Sequence, residues 1–565
     1  MKILLIYPYC LEERVHEEDV SVPPMGLYYV GAALRKNHYD CEVLNWHHVQ
    51  RTPEVITETL TAKAPDVIGF SVLHANRWGA IEIARIAKQI NPEVAVVFGG
   101  VGATFLWGHF LSHFKHIDFC ILGEGEGSFL ELARAIERKQ PEAIARIPGI
   151  ALREGDAVVK TRDPVRVKDL DRLADPADYF TFQHVSSTRG CPGNCTFCGS
   201  PRLWGRTVRF HSARYFVGQL EKLNQKGVGF FYFSDDTFML KKKHVMEICR
   251  EILSRGLNIS WAAISHVNYV DEAVLLWMRK AGCTQISYGV ESGSEKIRNL
   301  LGKNIQTDQI RKAFSLTTRY GILPRAYFIY GCPGESWETI QETIDLIQEI
   351  KPLSVIFYIL DIFPGTALYS DFVRQTGATE DIWLRQTEDI LYFETDPDLT
   401  RDQILAFGRR LRGDFYSRLP SFVDGIDLID KDGFSERHAD FLSRLGMTFS
   451  HGDYAQIEAI PDREGTAAKL YQQSLAYSPN ARAYLGLGII RQKHRDFHES
   501  IRILSEGVGH FPEDESIRIC LGLSHMNLGE FEEALSHLEE IKHSPQAAPY
   551  IAECRKRLEN RSRGA

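Results

Sequence analysis

Residues 189–201 read RGCPGNCTFCGSP and place Cys191, Cys195 and Cys198 within eight positions. Clustered thiolates hold zinc or iron–sulfur centres. A structural zinc site closes four ligands, usually as two Cys-x2-Cys pairs. No second pair follows here at a suitable spacing. A 4Fe–4S cluster has four irons, each normally held by one cysteine. Three sulfurs therefore leave one iron open, and an open position is what a catalytic metal needs. Cys191, Cys195 and Cys198 are the expected metal ligands. Gly190, Pro192, Gly193 and Gly199 are expected to let the loop wrap tightly, because glycine reaches backbone angles that other residues avoid.

The segments around this loop alternate between strand and helix. Strand candidates over residues 181–370 are HVSSTRG, GFFYFSDD, ISWAAIS, QISYGVES, RAYFIYG and SVIFYILD, with helical patterns between them. Six strand–helix pairs are too few to close an eight-stranded barrel. The expectation is a partial (β/α)6 barrel, open on one side, with its chemistry at the C-terminal strand ends. Residues 1–140 alternate in the same way through KILLIYP, CEVLNW, DVIGFSV, VAVVFGG and FCILGEG. Near-continuous apolar strands with intervening helices predict a doubly wound parallel sheet. Residues 141–180 read as a polar linker and 371–465 as a helical connecting region. From 466 to 560 a repeat appears: Leu487, Gly488, Phe497 and Leu504 recur 34 positions later as Leu521, Gly522, Phe531 and Leu538. The fold class is thus α/β with an all-α C-terminal region.

Composition narrows the function classes. A net charge of −8 argues against nucleic acid as a partner. No apolar run reaches the roughly 18 residues of a membrane span, and MKILLIYPYC reads as a core strand, not a signal peptide. Eleven cysteines in 565 residues make no disulfide scaffold. The eight outside the loop read as small core residues. A cytoplasmic location is expected.

The Cys-x3-Cys-x2-Cys spacing directly after a strand resembles the radical S-adenosylmethionine superfamily. The resemblance implies that the open iron chelates the amino and carboxylate groups of S-adenosylmethionine, and that reduction by an external electron donor yields a 5′-deoxyadenosyl radical. Three further stretches at strand ends carry the resemblance. FSDDTF at 233–238 supplies Asp235 and Asp236, which the family would set against the methionyl amine. SYGVESGSEKI supplies Glu291 for the ribose or methionine moiety. YGCPGES at 330–336 supplies Gly331 and Pro333 in a turn near the adenine, with FPGTALY beyond it.

On its residues alone the first domain is flavodoxin-like, dinucleotide-binding or cobalamin-binding. Its ligand would sit outside the C-terminal strand ends. The loop after the first strand, YPYCLEER, has no GxGxxG, which counts against NAD and FAD. Glycines follow later strands instead, in FGGVGATF at 98–105 and LGEGEGSF at 122–129. Together with VPPMGLYYVGAALRK at 22–36, this arrangement resembles the N-terminal domain of cobalamin-dependent radical S-adenosylmethionine enzymes. The resemblance implies cobalamin contacts at Ser71, Gly99, Gly100, Gly123 and Glu124. The Asp-x-His-x-x-Gly motif whose histidine ligates cobalt in cobalamin mutases is absent, and His74 is expected to be a loop histidine with no metal role.

The 34-residue period, with small residues where helices cross, resembles tetratricopeptide repeats, which bind partners and carry no chemistry. The implied activity is methyl transfer to an unactivated carbon. A radical cyclase or another non-methylating radical reaction is the alternative. The motifs bind cofactors and not substrate, so lipids, tetrapyrroles, natural-product intermediates and peptides all stay open as substrate classes. A non-enzymatic binding module would need the cysteine loop to be vestigial.

Overall fold

Short runs of branched and aromatic residues build the first sheet. β1 (Lys2–Tyr7), β2 (Asp40–Asn45), β3 (Val67–Ser71), β4 (Ala95–Gly99) and β5 (Phe119–Ile121) pair in parallel in the order β2-β1-β3-β4-β5. Between and after them run α1 (Met25–Lys36), α2 (Pro53–Lys63), α3 (Arg77–Ile90), α4 (Gly100–His113) and α5 (Gly125–Glu137). Both sheet faces are covered. Leu4 and Ile6 pack with Leu60, Ile83 and Phe110 on the face of α2, α3 and α4. Ile3, Leu5 and Tyr7 pack with Leu27, Leu34 and Leu132 on the face of α1 and α5. Each such side chain contributes roughly 1.5–3 kcal/mol by leaving water. This is the doubly wound arrangement, and its ligand position lies at the carboxyl ends of the strands.

The computed structural model describes residues 1–11, 25–47, 52–387 and 389–563. Residues 12–14 of the YPYCLEER loop and 22–24 of the VPPMGLYY segment lie outside the described residues.

The stretch expected to be a linker, 141–180, is corrected. β6 (Ile150–Glu154) and β7 (Ala157–Lys160) form an antiparallel hairpin that extends the sheet to seven strands. Their outer residues are polar and their turn is short, so the apolar alternation that marks a strand is weak. The first domain therefore runs past residue 140.

The second sheet holds β8 (His184–Val185), β11 (Phe230–Phe233), β12 (Ser260–Ser265), β13 (Cys283–Glu291), β14 (Leu323–Tyr330) and β15 (Ser354–Ile359) in sequential order. The pairs β8–β11, β11–β12 and β12–β13 are parallel. HVSSTRG is not one strand. β8 stops after two residues, and β9 (Thr188–Arg189) turns away to pair antiparallel with β10 (Arg209–Phe210). The core is aromatic, with Phe233 stacked on Trp261 at 4.4 Å between ring centroids.

The chain forms two compact units. One comprises Met1–Ala313, Arg325–Leu346 and Val355–Arg409, and the other Phe314–Pro324, Ile347–Ser354 and Arg410–Ala565. The helical connection expected over 371–465 is thus divided at Arg409, and between Thr376 and Arg401 its only helical elements among the described residues are short 3-10 turns. In the second unit, helices from Arg463 onward pack in succession. A Cβ on Gly488 would meet Leu504, and a Cβ on Gly522 would meet Leu538, so one close helix approach recurs 34 residues along. Among the described residues no helix is long and apolar enough to cross a membrane.

Candidate functional site

The early end of β8 creates the cysteine loop. Gly190 has φ +111° and no room for a side chain, since a Cβ would lie 3.0 Å from the Gly205 carbonyl. The loop it opens holds Cys191, Cys195 and Cys198, all half-buried and none in a disulfide. The Gly193 N–H donates to Cys191 Sγ at 3.4 Å. Thr196 anchors the far side, its N–H donating to the Leu301 carbonyl and its own carbonyl accepting from Leu368 N–H, both at 2.9 Å. Burial pushes the Cys198 thiol up to about 12 and also raises Cys195. Such thiols become ligands by exchanging the proton for a metal. Three of them on one short loop fit a cluster that keeps one iron open.

Asp235 and Asp236 part company, because neighbours on an extended chain face opposite ways. Asp235 is 1% exposed. Its carboxylate accepts from Ser187 N–H at 3.2 Å, Ser187 Oγ at 2.9 Å and Thr188 Oγ1 at 2.5 Å. Burial raises its pKa to about 6. It ties β11 to the β8–β9 turn, so its expected place against the methionyl amine is corrected. Asp236 faces the cleft, where it accepts from Ser200 Oγ at 2.5 Å.

Glu291 sits at φ +67°, a strained position for a residue with a side chain. Its carboxylate accepts from Lys303 Nζ at 2.8 Å, with both side chains buried. Burial works against the Lys303 charge, but Glu291 and the neighbouring Cys195 outweigh it and hold the ammonium above its usual pKa. Gly331 and Pro333 form a turn whose Gly331 and Cys332 N–H groups donate to Glu335. Burial lifts Glu335 to about 7. This turn is not in the cleft wall. Cys332 lies beneath the loop in an apolar cluster with Ile297, Leu301 and Leu360, and Phe197 of the loop packs on that cluster.

The cleft has a volume of about 680 Å³. Ser71, Gly99, Gly100, Gly123 and Glu124 line it from the first sheet, and Gly199, Ser200, Trp204 and Asp236 from the second domain. At Gly100, φ is +88° and a Cβ would press on the Val72 backbone at 3.0 Å, so α4 starts directly against the β3 loop. A glycine-floored, largely apolar cleft of this kind fits a broad flat cofactor.

Glu124 and a group that the sequence reading missed close one end. Arg189, two residues before Cys191, pairs with Glu126 at 2.5 Å and Glu124 at 3.4 Å. Its guanidinium lies 5.1 Å from the ring centroids of both Tyr29 and Trp204. Arg209 pairs with Glu124 at 2.6 Å. Glu124 therefore serves an ion-pair cluster between domains. His74 also lines the cleft, and its ring nitrogen meets Asp361 and Asp389. The only sequence signal for Arg189 was its place beside the cysteines.

Comparison with known proteins agrees with this geometry. The Radical SAM superfamily model matches residues 185–347, and the B12 binding domain model matches residues 17–133. The chain is 29% identical over 456 residues to an uncharacterised methyltransferase of Pyrococcus horikoshii, covering 78% of this chain and 97% of that one. It is 27% identical over 402 residues to the anaerobic magnesium-protoporphyrin IX monomethyl ester cyclase of Cereibacter sphaeroides, covering 66% of this chain and 64% of that one. The structure of the radical S-adenosylmethionine methyltransferase TsrM from Kitasatospora setae, with cobalamin and a 4Fe–4S cluster bound, shares the fold. It aligns with a TM-score of 0.61 at 18% identity, covering 84% of this chain and 100% of that one. The chain is a radical S-adenosylmethionine enzyme that uses a 4Fe–4S cluster, S-adenosylmethionine and cobalamin.

Proposed function

We propose that the chain methylates an unactivated carbon of a small organic substrate. The observation that carries this reading is the shared cleft: the rim of the cysteine loop and the glycine floor of the first sheet line one cavity. Bound there, the cluster with S-adenosylmethionine supplies a hydrogen-abstracting radical, and cobalamin supplies the methyl group. Cys191, Cys195 and Cys198 hold the cluster. Asp236 and the Glu291–Lys303 pair flank the loop and orient the methionyl end of S-adenosylmethionine. Gly331 and Pro333 shape the turn on the adenine side. Ser71, Gly99, Gly100 and Gly123 leave space for the corrin, and Arg189 with Glu124 and Glu126 keeps the two domains in register around the substrate. The second sheet is read as an open (β/α)6 barrel, and the C-terminal helices as a tetratricopeptide-like array that receives a protein or carrier partner.

The similarity to the Cereibacter cyclase favours a second reading, a radical reaction without methylation on a tetrapyrrole-like substrate. Anaerobic incubation with methyl-labelled S-adenosylmethionine and candidate lipids, tetrapyrroles, natural-product intermediates and peptides separates the two. A product heavier by one labelled CH2 is expected. Turnover with no label in the product replaces methylation by the second reading.

The two aspartates give a further expected contrast. Asp236→Asn loses a charge-assisted hydrogen bond and should weaken S-adenosylmethionine binding by about 1.5–3 kcal/mol with the iron content unchanged. Asp235→Asn removes charge from a buried acceptor of three hydrogen bonds. It should lower thermal stability by about 1–3 kcal/mol instead. Binding calorimetry beside a melting curve reads both, and equal binding in the Asp236→Asn protein and its parent removes Asp236 from the site.

A further inference from the structure

The β3 loop and the segment after β15 bring three side chains together from distant parts of the chain. His74 Nε2 lies 3.0 Å from Asp361 Oδ2 and 3.1 Å from Asp389 Oδ1. The three atoms all fall within 4.8 Å of one another. The side chains are only 9%, 10% and 13% exposed. We propose that His74, Asp361 and Asp389 bind a divalent transition-metal cation, at a site separate from the cysteine loop.

Proton counting carries the argument. A ring nitrogen has at most one hydrogen, yet two carboxylate oxygens stand at hydrogen-bond distance from it. The two carboxylates also meet each other. Without a metal, the three groups need a protonated imidazole and a further proton held between the carboxylates, and burying such a set is costly. Asp361 Oδ1 is also buried and finds no hydrogen-bond partner among the described residues. The nearby Arg77 guanidinium donates to the carbonyls of His74, Trp383, Arg385 and Thr387.

A cation resolves this arrangement. Neutral imidazole nitrogen with carboxylate oxygen is a donor set for Zn2+ and its neighbours in the first transition row. Ligands at about 2.0–2.2 Å from such an ion lie roughly 3.3–3.6 Å apart at a tetrahedral angle and roughly 2.8–3.1 Å apart at an octahedral one. The observed 3.0 and 3.1 Å separations fit the octahedral edge and need to open by only a few tenths of an ångström for the tetrahedral one. Three protein ligands leave at least one coordination position open. His74 is in the cleft wall, its ring 4.6 Å from that of Phe363, so the ion would pin the first sheet's loop to the far wall of the cleft.

The test does not depend on the methylation reading. The full chain is loaded anaerobically with iron, so that Cys191, Cys195 and Cys198 are occupied. It is then dialysed against Zn2+, and zinc is counted by elemental analysis. About one zinc per chain is expected. Asp361→Asn and Asp389→Asn, which keep side-chain shape, should each weaken zinc binding by at least about tenfold with the iron content unchanged. Zn2+ should raise the melting temperature of the parent and not of these variants. If either variant misfolds, His74→Gln carries the same expectation. No zinc on the parent overturns the proposal. So does equal zinc on the parent and the variants, which would move the metal elsewhere, for example to His109 and His113.

Discussion

Alanine at any one of Cys191, Cys195 or Cys198 is expected to reduce S-adenosylmethionine cleavage to background and to strip the protein of most of its iron. The three thiols sit on one loop between Gly190 and Gly199. Cys332 lies beneath the loop, in the apolar cluster on which Phe197 packs, and is fully buried. Cys332→Ala should therefore keep its iron and its activity, at a stability cost of about 1 kcal/mol. Iron analysis and a 5′-deoxyadenosine assay on the four variants read this directly. Full cleavage by any of the three loop variants removes the cluster from that loop.

Leucine at Gly99 should weaken cobalamin binding by roughly tenfold to a hundredfold while the iron content stays intact. Gly99 has an ordinary extended backbone, with φ −137° and ψ −175°. A Cβ there would meet only the Phe70 carbonyl, at 3.6 Å. The chain thus accepts the side chain, and the added bulk competes with a ligand for the cleft at a cost of about 1–3 kcal/mol. Gly100→Leu is a poorer probe, since φ +88° and the Val72 backbone at 3.0 Å make it destabilising by about 1–3 kcal/mol before any ligand arrives. Spectroscopic titration with hydroxocobalamin separates the two: Gly99→Leu should melt close to its parent, and Gly100→Leu should not. Parent-like cobalamin affinity in Gly99→Leu would place the cofactor away from this strand end.

Local patterns made much of the molecule legible. Apolar runs with intervening helical periods gave β1 to β5 of the first sheet and β11 to β15 of the second, and sulfur spacing gave the loop. What escaped depends on long-range pairing or on which way a side chain points. The β6–β7 hairpin escaped because its strands are short, only Ile150 and Ala151 are fully buried, and Arg153, Glu154 and Lys160 interrupt the apolar pattern. FSDD could not say which aspartate turns inward; packing against Ser187 and Thr188 decided it for Asp235. Arg189 with Glu126, and His74 with Asp361 and Asp389, join residues 63, 287 and 315 positions apart. No local signal marks such partners, and burial of both charges appears only once the domains meet.

Arg189 has one more consequence. Along the chain it is two residues from Cys191. In space its guanidinium is fixed by Glu124 and Glu126 where α5 begins, beside Gly123 in the cleft. Arg189 thus gives an occupant of that wall a physical route to the root of the cysteine loop, and a ligand at the loop a route back to the wall. Thermodynamic linkage makes the exchange symmetrical. Whatever factor one occupant imposes on the affinity of the other is returned in full, so the order of loading changes the path and not the final saturation.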